Sequence, residues 1–159
     1  MANFLEQLVG DWYEYNRYFV RRNVLVGKRS AGGYECELDI VAFNPQTKHL
    51  VHIEPSADTD SWAKRELRYK KKFEAGKQYI PALFAGLDVP HKPDQIALLL
   101  YGSTRNRNEL AGGKIISARD FMLIVREELQ GKRVENEAVP EQFPILRGLQ
   151  LAAQYWPGA

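Results

Sequence analysis

The sequence predicts an α/β domain built on a mixed β-sheet, and three observations carry that reading. Residues 34–39, YECELD, alternate polar and apolar side chains as a half-buried strand does. A polar turn containing proline, residues 44–47 (NPQT), joins this stretch to a second apolar run from about His49 to Glu54, so the two should pair antiparallel. Further on, residues 95–101, QIALLLY, form a run of strand length with almost no polar alternation, the pattern of a strand covered on both faces.

Taken in order, the elements begin with a helix. From Asn3 to about Arg22 the apolar positions Phe4, Leu5, Leu8, Val9, Trp12, Tyr15, Tyr18 and Phe19 recur every three or four residues, and Asn3 with Glu6 reads as a capping box. Gly10 interrupts this pattern. Residues 23–28, NVLVGK, predict a first strand, and residues 30–33, SAGG, a turn into the acidic strand. A second helix is expected over residues 58–76, capped by Asp58 or Thr59 and stopped by Gly76. At about 100° per residue, its inward stripe would be Trp62, Glu66, Tyr69 and Phe73, with Lys64, Arg68 and Lys71 opposite.

After the apolar strand a polar loop leads to a last short strand at residues 114–117. A third helix starts at Ala118, buries Phe121, Leu123, Ile124, Val125 and Leu129, and ends before Gly131 at its C′ position. A polar surface connection precedes a final helix over residues 144–155, opened by a proline at N1. The order α-β-β-β-α-β-(β)-α-α predicts an antiparallel meander followed by strands reached through helical crossovers.

Composition bounds the rest. With 159 residues and 45% hydrophobic content, the chain is expected to form one domain over residues 1–159. No run approaches the roughly 20 apolar residues of a membrane span, and the first residues lack the basic and apolar regions of a signal peptide. A cytoplasmic protein that does not engage membranes is therefore expected. A single cysteine excludes an internal disulfide, so Cys36 reads as a small core residue; the three histidines show no zinc-ligand spacing.

The chemistry concentrates in residues 34–56. Glu35, Glu37 and Asp39 point to one face of their strand, Cys36, Leu38 and Ile40 to the other, and Glu54 ends the neighbouring strand. Clustered carboxylates repel, and water, a basic neighbour or a divalent cation must offset that cost.

Glu37-Leu-Asp39-Ile-Val-Ala-Phe, the turn, and His49-Leu-Val-His-Ile-Glu54-Pro-Ser56 resemble the core of the PD-(D/E)XK nuclease superfamily, the restriction-endonuclease-like fold, with Glu-x-Asp similar to its Holliday-junction-resolvase-like branch. The acids Asp39 and Glu54 are separated by residues 40–53. The resemblance runs from about Glu14 to Tyr101 and implies a Mg²⁺-dependent (or Mn²⁺-dependent) endonuclease acting on DNA. Asp39, Glu54, the backbone carbonyl of Pro55 and a first-helix carboxylate, taken as Glu14, would be the metal ligands.

One departure stands out. The family's lysine two residues beyond the second acid is Ser56 here. The resemblance then implies either a cation recruited from the following helix, with Lys70 as first candidate and Lys64 and Lys72 as alternatives, or a degenerate site that binds nucleic acid or a protein partner without cleavage. Residues 64–77 carry seven basic against two acidic side chains. Lys64, Arg65, Arg68, Lys71 and Lys72, extended by Arg105 and Arg107 in the later loop, are therefore the candidate grip on a phosphate backbone. Arg65 is suited to hold phosphate but not to act as a base. The final helix leaves room for a homodimer, and specificity for a separate protein partner.

Overall fold

A computed structural model describes residues 3–156 and 158 and has an α/β architecture: a six-stranded mixed sheet flanked by helices. The chain divides into two compact units, Met1–Ser117 and Ala118–Ala159. In the first, helix α1 (Phe4–Tyr15) leads into strands β1 (Phe19–Lys28), β2 (Tyr34–Asn44) and β3 (His49–Ser56). Helix α2 (Trp62–Leu83) then precedes β4 (Asp94–Leu99), β5 (Glu109–Leu110) and β6 (Gly113–Ser117). The strand order is β1-β2-β3-β4-β6-β5. The meander β1-β2-β3 is antiparallel, and α2 is the crossover that makes β4 parallel to β3; β6 continues parallel to β4.

The predicted capping box is present. Asn3 Oδ1 accepts from the Glu6 N–H at 3.0 Å, and Glu6 Oε2 accepts from the Asn3 N–H at 3.3 Å. The first helix is shorter than its apolar period suggested. It stops at Tyr15, Arg17 takes a left-handed φ of 67°, and Phe19 already belongs to β1. Aromatic and β-branched residues at helical spacing also suit a strand. The helix continues through Gly10, where an added Cβ would lie 2.3 Å from Arg22 Nε.

The second helix is longer than expected and starts later. Ser61 is its N-cap, its hydroxyl accepting from the Lys64 N–H at 3.4 Å, and the helix runs through Gly76 to Leu83. Gly76 is not a stop but a point of close approach, since a Cβ there would sit 2.4 Å from His52 Nδ1. The helix lies against β1, β2, β3 and β5, while α1 packs on β1, β2 and β3. Burial in β2 alternates from Tyr34 to Asp39 and is then unbroken from Ile40 to Asn44, and β3 is buried from Leu50 to Pro55. β2 thus passes from a one-sided stretch into a covered interior at Asp39, while Glu54 lies near the end of the buried run of β3.

The second unit holds α3 (Ala118–Leu129), α4 (Val134–Glu137) and α5 (Pro144–Tyr155). Buried Gln150 ties it together, accepting from the Val139 N–H at 2.8 Å and donating to the carbonyls of Lys132 and Glu137, both at 2.9 Å. Among the described residues no helix is long and apolar enough to cross a membrane.

Candidate functional site

The site begins with strand register. Ile40 pairs with Ile53 at the end of the β2–β3 ladder, so the next residues outward, Asp39 and Glu54, sit side by side. Where the ladder ends, a backbone donor would be left over. The Asp39 N–H instead donates to Glu54 Oε1 at 3.1 Å. The same Oε1 receives His52 Nε2 at 2.7 Å, two residues back on the same face of β3.

His52 is held in one tautomer. Gln95 Nε2 donates to His52 Nδ1 at 3.1 Å and to the Phe73 carbonyl at 2.9 Å, which leaves the ring proton on Nε2 for Glu54. The imidazole is fully buried. Burial, reinforced by the nearby Lys72 charge, lowers its pKa to about 3, so it is a neutral donor at ordinary pH.

With Oε1 engaged twice, Glu54 presents Oε2 outward, and there it meets an ammonium group. Lys72 of α2 bonds Glu54 Oε2 and also donates to Asp39 Oδ1 at 2.6 Å. The helix is seated by Tyr69, one turn earlier, whose hydroxyl donates to the Glu54 carbonyl at 3.0 Å. Lys72 remains 22% exposed while the Glu54 side chain is 2% exposed, so the ammonium lies at the mouth and the glutamate at the floor.

Two carboxylates share one ammonium, and a negative charge is left over. Burial first, then the hydrogen bond and charge of Glu54, push the Asp39 carboxyl up to about 7. Burial raises Glu54 as well, against the pull of Lys72. Burial disfavours the Lys72 ammonium, but the Glu54 and Asp39 carboxylates outweigh it and raise its pKa.

Ser56 takes part in a separate network. Its hydroxyl donates to Asp58 Oδ2, accepts from the Asp58 N–H at 3.2 Å and lies 3.4 Å from Arg68 Nη2. Arg68 also bonds Asp58 and donates to Asp60 Oδ2 at 2.8 Å. The space is therefore served by two cations from α2, Lys72 on the carboxylates and Arg68 on Ser56. Pro55 lines the same cleft, about 300 Å³ in volume.

Several expected residues stand elsewhere. Lys70 is exposed and lines an outer hollow with Leu67 and Glu74. Two residues along a helix turn the side chain by about 200°, so Lys70 and Lys72 cannot both face Glu54. Glu14 lies in the last turn of α1, 3.3 Å from Arg22 Nη2, which also pairs with Asp11 at 3.0 Å. The first-helix carboxylate near the cleft is Glu6, raised by burial and by the Asp39 charge, with its capping partner Asn3 lining the cleft.

Arg65 is 3% exposed and committed to Asp58, through Nε to Oδ1 at 3.1 Å and Nη2 to the carbonyl at 2.8 Å. It is an interior strut and not an available phosphate contact. Its guanidinium and that of Arg107 each lie over the Trp62 ring, at 5.0 and 4.7 Å from the centroid. Lys64, Lys71, Arg105 and Arg107 are exposed. Glu37 is exposed and accepts from Asn23 Nδ2 at 3.3 Å. Glu66 faces outward, accepting from the Ala111 N–H at 3.2 Å.

His52, Gln95, Gly76 and Glu6 were missed as site residues. The His-x-Glu spacing on one strand face was the available signal for His52; Gln95 and Gly76 become relevant only once α2 and β4 are laid beside β3. Compared with protein-family models, curated proteins and solved structures, the chain gives no match.

Proposed function

We propose that this chain is a metal-dependent nuclease of restriction-endonuclease-like fold that hydrolyses phosphodiester bonds in DNA. The observation that carries the reading is the convergence of Asp39, Glu54 and Lys72 in one cleft, two acids from adjacent strands and a cation from the next helix. Lys72 thereby supplies from α2 the charge that Ser56 lacks.

The donor set suits Mg²⁺ or Mn²⁺. Asp39 and Glu54 turn oxygens toward one cationic atom, Pro55 lies beside them, and Mg²⁺ is commonly held by one or two carboxylates while keeping several waters. Among the described residues no group of three His, Cys, Asp or Glu side chains is poised as a metal cage, so the proposal is of a two-carboxylate ion. When bound, such an ion lowers the pKa of a water and neutralises charge on the transferring phosphoryl group.

The chain's own residues do the remaining work. Glu54 is immobilised by His52 and the Asp39 N–H, which fixes the direction of Oε2. Lys72 offers an ammonium to a phosphate oxygen, Arg68 offers a guanidinium beside Ser56, and Glu6 adds negative charge near the cleft. Exposed Lys64, Lys71, Arg105 and Arg107 supply sequence-independent attraction to the backbone.

The test is incubation of end-labelled single-stranded, duplex and branched DNA with Mg²⁺ or Mn²⁺, alongside calorimetric titration of the ion. Wild type should bind the ion and cut, whereas Asp39→Asn should do neither. DNA bound but never cut would replace this reading with the non-cutting module.

A further inference from the structure

Three hollows follow one another along α2. The carboxylate cleft shares Arg68 and Lys72 with a second hollow of about 430 Å³, and that hollow shares Glu35, Cys36 and Lys71 with a third of about 360 Å³. Together they form a continuous track between α2 and the β1–β2 hairpin, starting at Asp39 and Glu54.

Its two walls differ in chemistry. The helix wall carries exposed Lys70 and Lys71, one acid, Glu74, and Arg68, whose guanidinium is already bonded to Asp58 and Asp60. The hairpin wall carries Glu35 and Glu37, whose carboxylates repel phosphates and accept hydrogen bonds from amino groups. Apolar side chains stand exposed along the track: Tyr34 at 43%, Leu25 at 51% and Leu67 at 73%. None of the three belongs to the two core clusters described around α2.

We infer that the track receives an unpaired DNA strand leading into the carboxylate cleft, with phosphates along Lys71 and Lys70 and a base laid on Tyr34. This rests on the nuclease reading for the cleft itself. A single strand offers one phosphate chain and free base faces, which match one basic wall and an aromatic platform. A duplex offers two phosphate chains and no free base face. Its second backbone would be pressed toward Glu35 and Glu37. The exocyclic amino groups of adenine, cytosine and guanine, by contrast, are donors for those same carboxylates.

The experiment is fluorescence anisotropy of a labelled mixed-sequence 15-mer, single-stranded and as its duplex, in EDTA so that nothing is cut. Wild type should bind the single strand more tightly than the duplex. Tyr34→Ala should weaken single-strand binding about tenfold, leave duplex binding unchanged and keep the melting temperature, while Tyr34→Trp should restore it. A 2-aminopurine base in the strand should be quenched on binding by wild type and not by Tyr34→Ala. Duplex bound as tightly as single strand, an equal loss on both from Tyr34→Ala, or no binding of either would overturn the inference. A parallel assay with Mg²⁺ separates the two ideas: single-strand binding that needs Tyr34 without any cleavage sinks the nuclease and keeps the track, and cleavage indifferent to Tyr34 does the reverse.

Discussion

His52 Nε2 and Glu54 Oε1 are 2.7 Å apart in the interior, two residues from each other on one strand, and the imidazole is neutral. A buried acid is thus oriented by an uncharged donor, which fixes one oxygen without neutralising the carboxylate.

The pH dependence of stability follows from this pair. The folded pKa of His52, about 3, lies below its ordinary 6.5, so between those values the unfolded chain binds a proton that the folded chain refuses. The associated stability is full above pH 6.5 and is lost as pH falls toward 3, on the order of a few kcal/mol in total. Asp39, pushed up to about 7, acts in the opposite sense between about 4 and 7, so variants are compared with each other. His52→Gln keeps a donor near Nε2 but does not titrate. Its melting temperature should fall less than that of wild type from pH 6.5 to 3; equal slopes would count against a neutral buried His52.

Gly76 admits no side chain. A Cβ would stand 2.4 Å from His52 Nδ1 and 3.1 Å from Gln95 Nε2, neither of them free to swing away. Gly76→Ala is expected to cost about 1–3 kcal/mol as an overpacked contact, despite alanine's better helix propensity. Urea denaturation reads this directly, and a stabilised variant would show the helix to be loosely seated.

Lys72 and Lys70 give a paired test. Lys72→Met should lower cleavage about a hundredfold or more and, by leaving Asp39 and Glu54 without a cation, should lower stability at pH 8 more than at pH 5. Lys70→Ala should leave cleavage per bound complex unchanged and weaken DNA binding in low salt. Single-turnover rates separate the two steps, and a loss of cleavage in Lys70→Ala alone would reverse the assignment.

Arg65→Ala should act on folding. Breaking its buried contacts removes two hydrogen bonds to Asp58, whose carboxylate keeps Arg68 as its cation, for a cost of about 2 kcal/mol. The salt slope of DNA binding should not change, because Arg65 reaches no phosphate; a flatter slope would return it to the binding face.

Much of this was legible from residues alone, and the failures have physical causes. The Asp39–Glu54 pairing could be read because strand alternation and a short turn fix register within a few residues. The final helix, Pro144–Tyr155, was legible because proline marks its start and its apolar period is clean. Tyr18 to Arg22 misled because aromatic and β-branched residues fit either period. Lys70 was preferred over Lys72 because projecting an isolated helix does not reveal which flank the sheet turns upward. Glu14 was taken as the first-helix acid, and Glu6 only as a capping residue, because the direction of α1 relative to β2 is a tertiary fact. Gly76 looked like a terminator because a glycine needed for close approach reads the same as one that ends a helix.

Tyr69 and Lys72 lie three apart on one face of α2, and both hold Glu54, one by its backbone carbonyl and the other by its carboxylate. A single helical turn therefore clasps one residue at two points. The loop before the helix is held separately, through Asp58 and Asp60 on Arg65 and Arg68, so residues added between Ala57 and Ser61 would disturb those contacts while the clasp on Glu54 stays closed. One residue inserted between Tyr69 and Lys72 would swing the ammonium about 100° around the axis and open it, so length variation ahead of the turn should disturb the Glu54 clasp less than variation within it.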